Sequence, residues 1–200
     1  MRQPLPCPDA DAIALLEPFP GLPLSSVSLV HNGQQAREAA DALRMTAVWG
    51  YDTESRPTFH KDQASDGPHT VQLATADRAW VFQLHDADCR ALVAELLAWP
   101  HAIKPGFGLR DDCARIQHKL GVAPAGVVEL NAVFRQRGYR REVGLKTAVA
   151  LLFNQRFSKS KRTATTNWAA PQLTSAQVLY AANDAYGAFR VHEALNLKQP

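Results

Sequence analysis

Two hundred residues, 46% of them hydrophobic, suffice for one domain with a real core and leave room for a short appendage. No apolar run approaches the roughly 18 residues needed to span a bilayer, and no signal-peptide pattern opens the chain, so a cytoplasmic protein without a membrane partner is expected. The net charge of +3 is uneven: nine Lys/Arg face only Glu142 between Arg135 and Arg162, a stretch of +8 that leaves −5 for the rest. Such a stretch fits either a polyanionic partner or a solvated basic face.

Taken in order, residues 1–24 are rich in Pro and Ala and read as an extended arm with one helical turn near Ile13 to Leu16. Cys7, Cys89 and Cys113 are odd in number and in no metal-ligand spacing, so reduced thiols are expected. Residues 26–30 read as a strand, and Gly33 closes a turn. Residues 35–43 form a helix with Ala36, Ala39, Ala40 and Leu43 on one face.

A central strand over residues 47–52 then runs into Asp52-Thr53-Glu54. Side chains at i and i+2 share a face of a strand, so Asp52 and Glu54 project together from its end. Two carboxylates so close repel, and a hard divalent cation such as Mg²⁺ is one compensation. Solvation in a polar loop is the other. Residues 55–68 are such a loop, and its Asp62, Asp66, His60 and His69 are better explained by loop polarity than by metal ligation.

Residues 70–75 and 79–84 read as two strands that continue an antiparallel meander from the central one. Asp86 or Asp88 caps the next helix, which places Leu92, Leu96 and Trp99 inward and stops at Pro100. A short strand at 101–104, a tight connection through Gly108, a helix at 109–120 and a strand at 127–130 follow. Helices close the chain at 131–136, 144–153 and 175–195. The pattern is that of an α/β protein, a mixed sheet flanked by helices.

Two further acidic positions stand out. Asp111-Asp112 opens a helix, where the positive end of the peptide dipoles favours a carboxylate, and either residue fits. In the last helix Tyr180 and Asp184 are i and i+4, stacked on one face among small alanines. Carboxylates around a pair of metal ions suit in-line phosphoryl transfer.

Together, Asp52-Thr53-Glu54, then Lys104-Pro105-Gly106-Phe107-Gly108 leading to Asp112, then Tyr180-Ala181-Ala182-Asn183-Asp184-Ala185 resemble the three motifs of the DEDD 3′–5′ exonucleases. Tyrosine in the third motif marks the DEDDy branch of ribonuclease D and the Werner syndrome exonuclease domain. Three residues separate the last Gly from the second-motif Asp in that family, which selects Asp112 over Asp111. Asn167-Trp168, Leu173, Gln177 and Tyr180 also match its approach to the third motif. The resemblance spans residues 25–197 and leaves the N-terminal arm (1–24) outside an exonuclease domain (25–200).

The resemblance implies a ribonuclease-H-like fold with a five- or six-stranded mixed sheet. It implies hydrolysis of the 3′-terminal phosphodiester with release of nucleoside 5′-monophosphates. Asp52, Glu54, Asp112 and Asp184 are the implied ligands of two divalent cations, Mg²⁺ or Mn²⁺, with no other cofactor. Tyr180 is the implied water-orienting residue. Lys159, Lys161 and Arg162, just before the last helix, are expected to contact the nucleic-acid backbone, which positions substrate without reading sequence. DNA is the expected substrate, with RNA the alternative and a non-catalytic binding module the remaining one. Trp168 is expected in the core. Cys113-Ala114-Arg115, after Asp112, departs from the family in offering no aromatic wedge for splaying terminal bases.

Overall fold

The computed structural model describes residues 5–58 and 66–196. His60 and Asp62, considered above as ligands, lie outside the described residues. The strands are β1 (Val27–Val30), β2 (Gly50–Glu54), β3 (Thr70–Ala74), β4 (Ala79–Gln83), β5 (Lys104–Gly106) and β6 (Val127–Glu129). The helices are α1 (Ala10–Ala14), α2 (Gly33–Arg44), α3 (Ala87–Ala98), α4 (Leu109–Leu120), α5 (Leu130–Gln136), α6 (Leu145–Phe153), α7 (Lys161–Ala164) and α8 (Ser175–Ala194).

β2, β3 and β4 pair antiparallel as the meander expected from the alternating apolar segments, and β1 adds to β4 in parallel. β5 and β6 pair in parallel. The two sheets meet where Val48 bridges Ile103, the Trp49 N–H donating to the Ile103 carbonyl at 2.8 Å and the Ile103 N–H to the Ala47 carbonyl at 2.8 Å. The spatial order is therefore β1-β4-β3-β2, continued by β5-β6. The early strand at 26–30 is real and forms one edge, beginning at Val27 after a 3₁₀ turn.

β3 and β4 are buried at every position, because helices cover both faces of the sheet. One layer is α8 with α5 and α6; the other is α2, α3 and α4. α8 begins with a capping box, in which the Thr174 hydroxyl accepts from the Gln177 N–H and the Gln177 side chain accepts from the Thr174 N–H.

Several boundaries move, each for a local reason. α2 starts at Gly33 because the Asn32 side chain accepts from the Gln35 N–H, a cap that the reading of Gly33 as a turn missed. Asp86, rather than Asp88, caps α3. Trp99 is not inward: it is 36% exposed, and Cys89, Val93, Leu96 and Leu97 form the buried stripe. Pro100 forces the preceding residue out of the helical region, which turns Trp99 off that stripe. The strand expected at 101–104 instead pairs through Gly106, so Pro105 and Gly106 belong to β5 rather than to a connection. A Cβ on Gly106 would come within 2.5 Å of the Tyr51 carbonyl oxygen, so only glycine lets β5 approach β2 this closely.

No helix among the described residues is long and apolar enough to cross a membrane. The three cysteines are free.

Candidate active site

Gly50, Asp52 and Glu54 alternate on one face of β2, and α8 lies across that face. The approach depends on Gly50, where a Cβ would sit 2.0 Å from the Ala185 carbonyl oxygen. Ala181, Ala182, Ala185 and Ala188, all buried, keep the helix close to the sheet. Asp184, one residue before that contact, is thereby pressed against the two strand carboxylates. Ligand oxygens of Asp52, Glu54 and Asp184 all lie within 4.8 Å of one another.

Burial raises the pKa of all three acids, and neighbouring carboxylates raise those of Asp52 and Glu54 further. Asp52 is pushed well up by burial and then by Asp184 and Glu54. Glu54 is raised to about 8 by burial and by Asp184. Asp184 is raised by burial, against which Lys159 and Tyr180 favour its ionised form. The set has the hard-oxygen chemistry and the excess negative charge that a divalent cation satisfies.

Asp112 arrives from the opposite side. Its Oδ1 accepts a 2.6 Å hydrogen bond from the Thr53 hydroxyl, between Asp52 and Glu54 in sequence. It stands apart from the three clustered carboxylates but is close enough to raise the pKa of both Asp52 and Glu54. Burial raises its own pKa, with Thr53 and Arg115 opposing.

The sequence did not single out the residue that aims α4. The Glu129 carboxylate accepts from the Gly108 N–H at 3.1 Å and the Leu109 N–H at 2.7 Å, and from the Asn131 N–H at 3.1 Å. It thus satisfies orphan amides at the starts of α4 and α5 together. Its signal in the sequence was one acid inside the apolar strand Val127-Val128-Glu129-Leu130.

Lys159 departs furthest from expectation. Its Nζ lies 2.6 Å from Asp184 Oδ2 and 5.4 Å from the centre of the Tyr180 ring. Burial disfavours its charge, but Asp184 and Asp52 outweigh this and raise its pKa. Together with Tyr51, Asp52, Phe107, Leu145, Asp184 and Ala188 it lines a cavity of about 40 Å³. Lys161 and Arg162 are exposed on α7, and their side chains make no hydrogen bond or ion pair among the described residues.

Tyr180 presents a buried hydroxyl beside Asp184 that does not meet the geometry of a hydrogen bond with any described residue. Burial and Asp184 raise its pKa, so the phenol stays protonated. Trp168 is 1% exposed, donates its indole N–H to the Ala164 carbonyl at 3.2 Å, and packs its ring 5.9 Å from that of Tyr180. It is a core residue, as expected, and it backs the tyrosine.

Lys104 has no part in the carboxylate set. It is fully buried, donates to the carbonyls of Trp99, Ala102 and Ala125 at 2.7, 3.1 and 2.9 Å, and sits 4.9 Å from the Trp49 ring centre. Burial lowers its pKa to about 8. It pins the turn before β5 to the end of α3. Asp66 and His69 pair with each other at 3.3 Å, and Asp66 pairs with Arg56 at 3.0 Å, which matches loop polarity rather than metal ligation.

Comparison with known proteins bears on the family and the fold. Residues 27–199 match a family described as 3′-5′ exonuclease. An Arabidopsis thaliana protein named 3′-5′ exonuclease is 26% identical over 151 residues, covering 74% of this chain and 52% of that protein, so the chain spans about half the relative's length. The Nibbler EXO domain of Aedes aegypti superposes with a TM-score of 0.74 at 21% identity, over 88% of this chain and 89% of that one. Ribonuclease D of Trypanosoma brucei, solved with RNA U12, superposes with a TM-score of 0.75 at 19% identity, over 86% of this chain and 63% of that one. Both share the helix-flanked mixed sheet, of ribonuclease-H-like type, described above. The carboxylates that β2 and α8 press together thus lie within residues 27–199, over which the chain belongs to the 3′-5′ exonuclease family.

Proposed function

We propose that this chain hydrolyses the 3′-terminal phosphodiester of nucleic acid, releasing nucleoside 5′-monophosphates. The convergence of Asp52, Glu54 and Asp184 within 4.8 Å, inside an exonuclease family match, carries the proposal. The family uses divalent metals, and these oxygen donors fit them. Asp52, Glu54 and Asp184 would hold one cation. Asp52, with the Asp112 oxygen that Thr53 does not engage, would hold a second. When bound, Mg²⁺ or Mn²⁺ supplies positive charge to the phosphodiester and lowers the pKa of an attacking water.

The chain's own groups do the rest. Tyr180, protonated and backed by Trp168, orients the water through its hydroxyl. Thr53 and Glu129 hold Asp112 in place, one by direct hydrogen bond and the other through the start of α4. Lys159, 2.6 Å from Asp184, balances the carboxylates and is placed to meet an incoming phosphate. Lys161 and Arg162 meet the strand farther out, with strong dependence on salt.

DNA is the substrate we propose, following the likeness to the Werner-type motifs. RNA is a second reading, favoured by the likeness to ribonuclease D, which was solved with RNA U12. The test digests matched 5′-labelled DNA and RNA oligonucleotides with EDTA, Mg²⁺ or Mn²⁺. Metal-dependent shortening from the 3′ end is expected, faster on DNA. No shortening with either metal would overturn the activity, and equal or faster trimming of RNA would overturn the preference.

A further inference from the structure

The N-terminal arm builds a second feature beside the carboxylates. It is anchored along its length. The Arg156 N–H donates to the Glu17 carbonyl at 2.8 Å, the Phe19 N–H to the Arg156 carbonyl at 2.9 Å, and the Arg156 guanidinium to the Ala14 carbonyl at 2.9 Å. Phe19 packs in a cage of Phe153, Phe157 and Tyr186. The Leu22 N–H donates to Asn183 Oδ1 at 2.7 Å, so the arm also docks on the residue next to Asp184.

This docking leaves a cleft of about 630 Å³ between the arm and the body. Ile13 and Ala14 line one wall, Lys146 and Thr147 of α6 another, and the segment from Arg156 to Ser160 the floor. The lining contains no acid. Lys159 lines both this cleft and the small cavity that holds Asp52 and Asp184, so the two adjoin across that one side chain. Lys146 is near enough to favour the ionised form of Asp184. Exposed positions, Ala14, Lys146, Ser158 and Ser160 among them, leave the cleft open to solvent along its outer side. Its arm wall lies wholly before residue 27, outside the family match.

We infer that this cleft is a subsite for the substrate strand immediately upstream of the scissile phosphodiester. The inference rests on the exonuclease reading above. An apolar trough edged by lysines suits a single strand, with sugars and bases against Ile13 and Phe157 and phosphates toward Lys146 and Lys159. Pockets of about 300–1,000 Å³ hold ligands of nucleotide size. The departing terminal nucleotide needs a closed seat, whereas the retained strand needs an exit to solvent, which this cleft has.

Ile13→Glu and Ile13→Lys test this on the full chain, with oligonucleotides and with the p-nitrophenyl ester of thymidine 5′-monophosphate, which has no upstream nucleotide. For oligonucleotides, DNA or RNA, KM should rise about three- to tenfold with Glu and fall, with a steeper salt dependence, with Lys. Hydrolysis of the ester should be unchanged in both. Opposite shifts confined to oligonucleotides support the subsite, since mere structural damage would act in one direction. Unchanged KM in both variants, equal losses in both, or parallel effects on the ester would overturn it while leaving the exonuclease reading intact. A wild-type protein that cleaves neither substrate would remove that reading and the subsite with it.

Discussion

Lys159→Met probes the central electrostatic feature of the site. Lys159 Nζ is 2.6 Å from Asp184 Oδ2, with the carboxylate side chain 3% exposed and the lysine side chain 35%. Breaking a buried pair by removing one partner costs about 3–5 kcal/mol; with this ammonium one-third exposed, solvent screening reduces the expected loss to about 1–3 kcal/mol. For a chain of this size that lowers Tm by roughly 3–10 °C. The loss carries a definite pH signature. Burial already raises the Asp184 pKa, and Lys159 restrains that rise. Without the lysine it climbs further. A carboxyl whose folded-state pKa is raised contributes stability when protonated, and loses it as pH increases through the folded value. The deficit should therefore be largest at pH 8 and shrink toward pH 5. Thermal melts of both proteins in EDTA across that range measure it. Mn²⁺ affinity, read by calorimetry at pH 8, should rise about tenfold or more, because a competing positive charge is gone. A deficit equal at pH 5 and pH 8, or unaltered Mn²⁺ affinity, would refute the reasoning.

Asp52→Asn should reduce oligonucleotide cleavage at least about 100-fold while raising Tm in EDTA at pH 8, since it relieves repulsion with Asp184 and Glu54; a lower Tm would contradict that electrostatic account. Glu54, with its pKa at about 8, competes for cations through its proton, so Mn²⁺ affinity should climb from pH 6 to pH 8 and level off above. The same shift means that the metal-free protein loses stability as pH rises from about 4.5 through about 8, which melts in EDTA will show. Lys104→Met leaves three carbonyls without their donor and should cost about 2–4 kcal/mol in denaturant unfolding, with Mn²⁺ affinity retained.

The alternation of apolar and polar residues was enough to place the meander, and helix periodicity placed α4 and α8, because both signals are local. The i and i+2 spacing of Asp52 and Glu54 put them on one face whatever the partner strands were. Boundaries decided by a single side chain were less visible. Asn32 and Asp86 act as caps only because their carboxyl or amide reaches an amide three residues on, and Trp99 turns outward through Pro100. The residues alone left Asp111 and Asp112 open and only the resemblance to the exonuclease family chose Asp112, whose hydrogen bond to Thr53 joins residues 59 positions apart.

By itself, the sequence determined the meander, the helix that closes the chain, and the strand and helix faces on which Asp52, Glu54 and Asp184 project. Tertiary structure alone decided that α8 would cross β2 at Gly50, that Lys159 would enter the carboxylate set, and that the arm would wall a cleft beside it. The division is physical. Periodicity and capping act over a few residues and leave a mark in the sequence. Contacts between elements far apart in the chain depend on which small residues allow close approach, and on which buried charges need a partner once they have met.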